Sequence, residues 1–204
     1  MPLPSLLFRV HRALLVLAGF GLTAVSIRAT TVIAPSFPEL VAEADTIVRA
    51  RVVSVRAAWC DSPQGRVIRT YVTFSTERGI KGASTDTFTL ELLGGELDGQ
   101  GMRVAGMPEF TPGQSNFLFI AGNGVRFCPL VGLMHGRYEV RTDPATAREY
   151  LVRNDGVPLT SEHDVQLRQG ANPLELRLKP AAAALTPSDF EQRIRAELTR
   201  RSHP

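Results

Sequence analysis

The hydrophobic pattern of this chain changes from a helical period to a β period near residue 45. Four apolar residues recur before that point at the spacing of one helix face: Phe37, Leu40, Val41 and Ala44. Ser36 precedes them, and Glu39 follows it by three positions, which is the pattern of a capping box. The pattern therefore predicts a short helix that begins after Ser36 and ends near Ala44-Asp45.

Branched and aromatic residues dominate the stretch that follows, which is typical of strands. Strands are predicted at 46–55, 67–76, 87–92, 117–121, 125–131, 137–142, 149–153 and 173–179. Asp98-Gly99 predicts a tight turn, and Asn123-Gly124 predicts a hairpin between 117–121 and 125–131. Because 117–121 is apolar at every position, this strand is expected to be covered on both faces.

A second helix is predicted at the end of the chain. Thr186 is a suitable N-cap and Pro187 suits the first helical position. Phe190, Ile194 and Leu198 then form one apolar stripe. Because an isolated helix of this length is marginal in water, the stripe is expected to dock on the β domain.

Short strands with Gly and Pro turns, flanked by two helices, predict a mainly β domain. A small barrel of about five to seven strands is the expected architecture, and a β-sandwich is the alternative. The predicted organisation has four parts: a leader (1–29), a β domain (30–153), an irregular connector (154–185) and a C-terminal helix (186–201).

The leader has the features of a signal peptide. Arg9 and Arg12 precede an apolar run at 13–27, and small residues allow cleavage after Ser26 or Ala29. The run is short for a permanent span, so no stable membrane span is expected after cleavage. A periplasmic or secreted location is predicted.

The net charge of +3 comes from the leader, because it holds three arginines and no acidic residue. Without them, 20 basic residues balance 20 acidic ones. Nucleic-acid binders normally carry an excess of cations, so we expect no nucleic-acid partner.

Three segments resemble the strand landmarks of netrin-like modules: Ala44–Val55, the strand ending in Gly79–Gly82 (GIKG), and Phe110–Gly113 (FTPG). Those modules include the tissue inhibitors of metalloproteinases, and the chain also resembles uncharacterised exported bacterial proteins of that type. The resemblance covers about residues 37–140, and it implies an OB-like barrel with flanking helices and a non-enzymatic role. The inhibitors grip the protease zinc through an N-terminal Cys-x-Cys. Here no cysteine precedes Cys60, so that wedge is not carried over.

Cys60 and Cys128 are the two cysteines of the chain. In an oxidising compartment they are expected to form a structural disulfide, and two free thiols are the alternative. A small cysteine hydrolase using Cys128 and His135 is a second hypothesis, although about 23 Å of extended chain would separate these residues. His135-Gly136 is otherwise expected to be a turn or bulge, with Arg137 facing solvent.

Metal and cofactor motifs are absent from the sequence. Glu162-His163-Asp164 places three possible ligands together, but a solvated turn is expected because neighbours on an extended chain point apart. No phosphate-binding glycine motif precedes a helix. We expect no metal, no cofactor and no catalytic residue. Arg49 and Arg51 on the first strand are expected to pair with cross-strand acids.

The segment 94–113 is long, rich in glycine and amphipathic. Met102, Arg103, Met107 and Phe110 have the composition of an interface core, and Arg137 is added as a candidate. The alternative is that its apolar residues plug one end of a barrel. The leading hypothesis is an exported, non-enzymatic module that binds an unidentified protein through this segment and adjacent strand edges, an exported protease being one conceivable partner. A structural envelope component is a further alternative.

Overall fold

The computed structural model describes residues 33–63, 65–166 and 180–202. The predicted signal peptide and the predicted strand 173–179 lie outside these residues. The helices of this part are α1 (Phe37–Glu43) and α2 (Pro187–Ser202). Its strands are β1 (Thr46–Ser62), β2 (Gly65–Lys81), β3 (Thr87–Leu93), β4 (Gly95–Leu97), β5 (Gln100–Met102), β6 (Ser115–Ile120), β7 (Arg137–Thr142) and β8 (Glu149–Arg153).

Six of these strands form one antiparallel sheet in the order β3-β2-β1-β6-β7-β8. β4 and β5 form a separate two-stranded sheet. The prediction of a mainly β fold is confirmed. Instead of the expected OB-like closed barrel, however, the described strands form an open sheet. β3 and β8 are its edges, and loops rather than strands satisfy their outer backbone groups.

The β1–β2 hairpin is longer than predicted, with 17 residues in each strand and pairing as far as Ser62↔Gly65. The pattern 56–62 lacks clear alternation, so its strand character was missed. Cross-strand pairing supplies the order there, including the paired residues Trp59 and Ile68.

The capping box at α1 is confirmed. The Glu39 carboxylate accepts a hydrogen bond from the Ser36 N–H at 2.7 Å, and the Ser36 hydroxyl accepts one from the Glu39 N–H at 3.3 Å. At the other end, Lys81 Nζ donates to the carbonyls of Val41 and Ala42 at 2.8 and 3.0 Å. The β2 lysine thus satisfies carbonyls that the helix leaves without partners.

Two apolar cores lie against the large sheet. The helix-side core joins α1 and α2 to one face of the sheet, and the buried Phe190 contacts the rings of Phe37, Phe117, Phe119 and Tyr138. The loop-side core holds residues from β1, β2, β3 and β6, including Val52, Phe74, Leu90 and Leu118. β6 is buried at all six positions, and its apolar residues Phe117–Ile120 alternate between the two cores, as their continuous apolar run predicts.

The predicted strand 125–131 is wrong. After β6 the chain turns at Gly122–Gly124, and pairing resumes at a single bridge, Ile120↔Leu130. Between these points the Asn123 side chain bonds to β3, and the chain rejoins β6 where the Ala121 N–H donates to the Pro129 carbonyl at 2.9 Å.

Candidate binding site

The segment 94–113 starts by folding back over the β1–β2 hairpin. Gly94 has φ +98°, and a Cβ there would lie 2.6 Å from the Met102 carbonyl oxygen, so only glycine fits. The Gly94 carbonyl accepts a hydrogen bond from the Thr70 hydroxyl at 2.7 Å, and its N–H donates to the Ile68 carbonyl at 2.8 Å. These contacts hold the β4–β5 hairpin against β2.

A cleft of about 890 Å³ opens between this segment and the sheet. Val55, Val72 and Leu92 from three neighbouring strands lie on the sheet side. The opposite wall is formed by the chain between Met102 and Phe110. The sheet side was not predicted, because it depends on how β1, β2 and β3 pair and no local pattern encodes that pairing.

The predicted loop residues take different positions. Met102 and Arg103 both line the cleft, with Met102 half-buried and Arg103 exposed. Met107 and Phe110 also line it, yet both pack against the loop-side core. The Phe110 ring meets Phe74 edge-on, with centroids 5.3 Å apart. The segment therefore has an inner side that seals the core and an outer side that borders the cleft.

Arg137 does not face solvent as predicted, since it is only 5% exposed. Its guanidinium donates to the side-chain oxygens of Asn116 at 2.9 Å, Asn154 at 3.0 Å and Gln114 at 3.2 Å. It also lies 5.0 Å from the centre of the Phe110 ring. Burial lowers the pKa of Arg137, and the negative charge of the nearby Glu139 partly offsets this lowering. Arg137 thus supports the segment 94–113 from beneath instead of contacting a partner.

The predicted pairing of the β1 arginines with acids is confirmed. Glu77 lies 2.8 Å from Arg49 and 2.6 Å from Arg51, and Arg49 also contacts Glu149 at 3.1 Å. Burial by itself would raise the pKa of Glu77, but the Ser115 hydroxyl and the two arginines hold it below its usual value. These cations are already matched within the fold.

Loops cover the outer edge of β3. The Asn123 side chain donates to the Thr89 carbonyl at 2.7 Å and accepts from the Glu91 N–H at 3.3 Å. The Leu93 N–H donates to the Phe127 carbonyl at 2.8 Å. A side-chain amide and a loop carbonyl thus replace a neighbouring strand, which closes this edge to a partner.

The outer edge of β8 is covered in the same way. The Leu151 N–H donates to the Leu185 carbonyl at 3.0 Å, and the Leu151 carbonyl accepts from the Leu159 N–H at 2.9 Å. The Arg153 N–H donates to the Val157 carbonyl at 2.9 Å. Neither terminal edge of the described sheet is therefore open to the strand-edge contacts expected from the sequence.

The predicted disulfide between Cys60 and Cys128 is wrong, because both thiols are free. Cys60 lies on the distal part of the β1–β2 hairpin, with its sulfur 3.3 Å from the Tyr71 hydroxyl. Cys128 lies in the loop-side core. A disulfide requires Cα atoms within about 7 Å, and the β pairing assigns the two residues to separate surroundings.

Alkylation is expected to separate the two thiols. Burial raises the pKa of Cys128 to about 11, and its side chain is inaccessible, so it should not react in the native protein. Partly exposed Cys60 should take one maleimide at pH 8, and both should react in denaturant. Intact mass counts the labels, and Cys60→Ser should reduce the native count to zero. An unlabelled chain in non-reducing denaturant would instead reveal a disulfide.

His135 lies in a 3-10 turn (Leu133–Gly136) and is only 3% exposed. Its imidazole bonds to the Val165 backbone and lies near Arg153, whereas Cys128 belongs to the loop-side core. The pKa of His135 is lowered chiefly because burial disfavours the imidazolium, and the charge of Arg153 adds repulsion. His135 therefore takes part in the packing of the turn, as a neutral group.

The burial of neutral His135 predicts a pH dependence of stability. The unfolded chain takes up this proton near pH 6.5 and the folded chain at lower pH, so acidification favours unfolding. The free energy of unfolding should fall as pH drops below about 6.5, by at most about 1.4 kcal/mol per pH unit. Urea titrations between pH 7.5 and 5.5 measure this slope. The dependence of the unfolding free energy on pH should be weaker in His135→Gln. It should be unchanged in His163→Gln, which alters an exposed histidine.

Glu162, His163 and Asp164 lie in a 3-10 turn that is solvated only in part, because Asp164 is buried while His163 is exposed. Asp164 accepts hydrogen bonds from the Thr160 and Ser161 N–H groups at 2.8 and 3.1 Å, while Glu162 lies 3.8 Å from Arg193. No group of three potential metal ligands occurs in residues 33–63, 65–166 and 180–202.

No protein-family model matches this chain, and no curated protein is significantly similar to it. Neither α1 nor α2, the helices of the described part, is long and apolar enough to cross a membrane.

Proposed function

We propose that this chain is an exported, non-enzymatic binding module that recognises another protein through the cleft beside the segment 94–113. The observation that carries this proposal is the cleft itself, with the exposed Val55 on the sheet side and Met102 and Arg103 on the other. Methionine adapts to varied surfaces, and arginine is enriched in interfaces.

The charges within the described residues support binding more than chemistry. The arginines of β1 are matched by Glu77 and Glu149, and Arg137 is enclosed by neutral oxygens and Glu139. Cys128 is protonated at neutral pH because burial raises its pKa to about 11. The cleft instead offers shape, apolar area and three exposed charges, those of Arg103, Glu96 and Glu109.

A netrin-like relationship is part of the proposal. The strands β3, β2, β1, β6 and β7 are paired in that order, five being the number of strands in an OB barrel, and β8 is added beyond β7. The sequence segments that resemble netrin-like modules fall on β1, on the end of β2 and on the approach to β6. Export rests on the leader pattern at 1–29. By the same resemblance, an exported protease is a candidate partner.

Capture by the immobilised protein tests the cleft. Extracytoplasmic extract of the native host is passed over the wild type, Met102→Glu and Val125→Glu, the last altering an exposed valine in the loop after β6. We expect a partner retained by the wild type and Val125→Glu and lost with Met102→Glu, and retained protease activity would define its class. Equal retention by all three variants, or by none, would contradict the proposal. Far-UV circular dichroism checks that each variant is folded.

A further inference from the structure

One backbone edge of the large sheet remains uncovered, and it belongs to β1, an internal strand. β6 pairs with β1 as far as Arg51↔Ser115, and one further pair of hydrogen bonds joins Val52 to Gln114 and Gly113 at 2.8 Å. β1 then continues to Ser62 while the other chain turns away. The side of β1 opposite β2 has no strand neighbour beyond Val52 within the described residues.

This open stretch, Val53–Ser62, is called the β1 slot. It is ten residues long, or about 33 Å at the rise of an antiparallel strand, which is enough for a complete added strand. The slot contrasts with the outer edges of β3 and β8, where loops satisfy the backbone. Two of the few exposed large apolar side chains of the described chain, Val53 and Val55, lie in it.

We propose that the β1 slot receives an extended segment of the partner protein, which adds as a strand to β1. This inference rests on the proposed function, since Val55 also lines the cleft. Successive side chains of a strand point to opposite faces. Alternate side chains of the added segment therefore enter the cleft beside Val55, and the others lie on the far face beside Arg56.

The two faces define the chemistry of the segment. The cleft face offers the exposed Val55 and the partly exposed Ala57 and Met107, so it favours apolar side chains. On the far face, the exposed Arg56 guanidinium lies 5.0 Å from the centre of the Tyr71 ring and has no acidic partner in the part of the chain that the structure describes. An acidic side chain directly across from Arg56 would supply that partner.

Arg56 also decides between a partner and a second copy of this chain. Two copies paired edge to edge about a two-fold axis would bring both Arg56 side chains to the same face of the joined sheet, where they repel. Charged residues on an open edge are a common protection against self-pairing, and a bulge at Val52/Ser54 adds to it here. The slot thus disfavours a second copy and admits an acidic strand.

The test is a selection from ten-residue random peptides displayed on phage, performed in parallel on the wild type, Arg56→Glu and Val125→Glu. On the wild type and the control we expect enriched sequences that alternate apolar and polar residues, with an acid at a fixed position. On Arg56→Glu that position should change to lysine or arginine. A synthetic wild-type-selected peptide should bind Arg56→Glu at least about tenfold more weakly, the loss of one charge-assisted hydrogen bond.

Hydrogen exchange and backbone methylation distinguish strand addition from simple cleft binding. The selected peptide should slow amide exchange in Val53–Ser62. N-methylation of one set of alternate peptide amides, those that bond to β1, should weaken binding about tenfold or more, and N-methylation of the other set should not. Selected peptides that need Met102 but ignore Arg56 and leave β1 exchange unchanged would overturn strand addition and leave the proposed function standing. If no peptide is enriched but the wild type still retains host partners that Met102→Glu loses, strand addition is likewise overturned and the proposed function stands. Dimerisation that protects the slot would overturn the partner proposal in favour of a second copy.

Discussion

Replacing Phe190 with alanine is expected to lower the free energy of unfolding by about 3–5 kcal/mol, the usual cost of removing a buried phenylalanine. The ring is fully buried and contacts aromatic rings from α1, β6 and β7, with centroid distances from 5.2 to 6.1 Å. The cavity would open where α2 meets the sheet, and a short helix has little stability without that contact. Urea unfolding followed by circular dichroism measures the change.

Phe127→Ala is the matched control for this prediction. Phe127 is 51% exposed in the loop after β6, so its replacement should alter stability by less than about 0.5 kcal/mol. A similar loss in both variants would contradict the assignment of Phe190 as the anchor of α2. A loss below about 1 kcal/mol for Phe190→Ala would show that α2 is not docked as described.

Arg137→Ala is expected to destabilise the protein by about 3–5 kcal/mol, because it removes one member of a buried charged network. Asn116, Asn154 and Gln114 would each lose a donor, and Glu139 would lose a nearby cation. Phe110 would also lose the guanidinium beside its ring. The segment 94–113 should therefore become a preferred site of limited proteolysis, while urea unfolding measures the global loss.

Arg141→Ala separates this role from simple charge pairing. Arg141 also bonds to Glu139, at 3.1 Å, but its side chain is 44% exposed, so removal should cost about 1 kcal/mol or less. Arg137→Lys should recover only part of the loss, because an ammonium group cannot reach several oxygens in the fixed geometry of a guanidinium. Equal effects of Arg137→Ala and Arg141→Ala would contradict the assigned role.

Both helices and most strands follow from local signals. The Ser36–Glu39 capping box and the stripe at Phe190 and Ile194 act within a few residues of chain, so they can be read before any tertiary contact is known. The burial of Phe117–Ile120 in β6 follows from their apolar run, whereas the burial of the polar Ser115 and Asn116 depends on tertiary contacts. The predicted strand 125–131 shows the limit, because the turn at Gly122–Gly124 forms while the Asn123 side chain bonds to β3 and the next residues form no strand.

The candidate site was predicted only in part. One cleft is bordered by all four residues of the predicted loop: Met102, Arg103, Met107 and Phe110. They could be predicted because their residue types are typical of interfaces and they lie close together in the chain. The role of Arg137 could not be predicted. Whether an arginine on a short strand is exposed depends on what packs against it, and three of its oxygen partners lie 17 to 23 residues away.

Local sequence signals were enough to establish the mainly β class, the two capped helices, the turn at Asp98-Gly99 and the pairing of the β1 arginines with acids. Each of these depends on hydrophobic periodicity, on turn chemistry or on the balance of basic and acidic residues. Long-range contacts, by contrast, determine that the sheet is open, that both thiols are free, that Arg137 is buried and that β1 extends beyond β6. These outcomes depend on strand register and relative strand length, which arise from contacts between residues far apart in the chain.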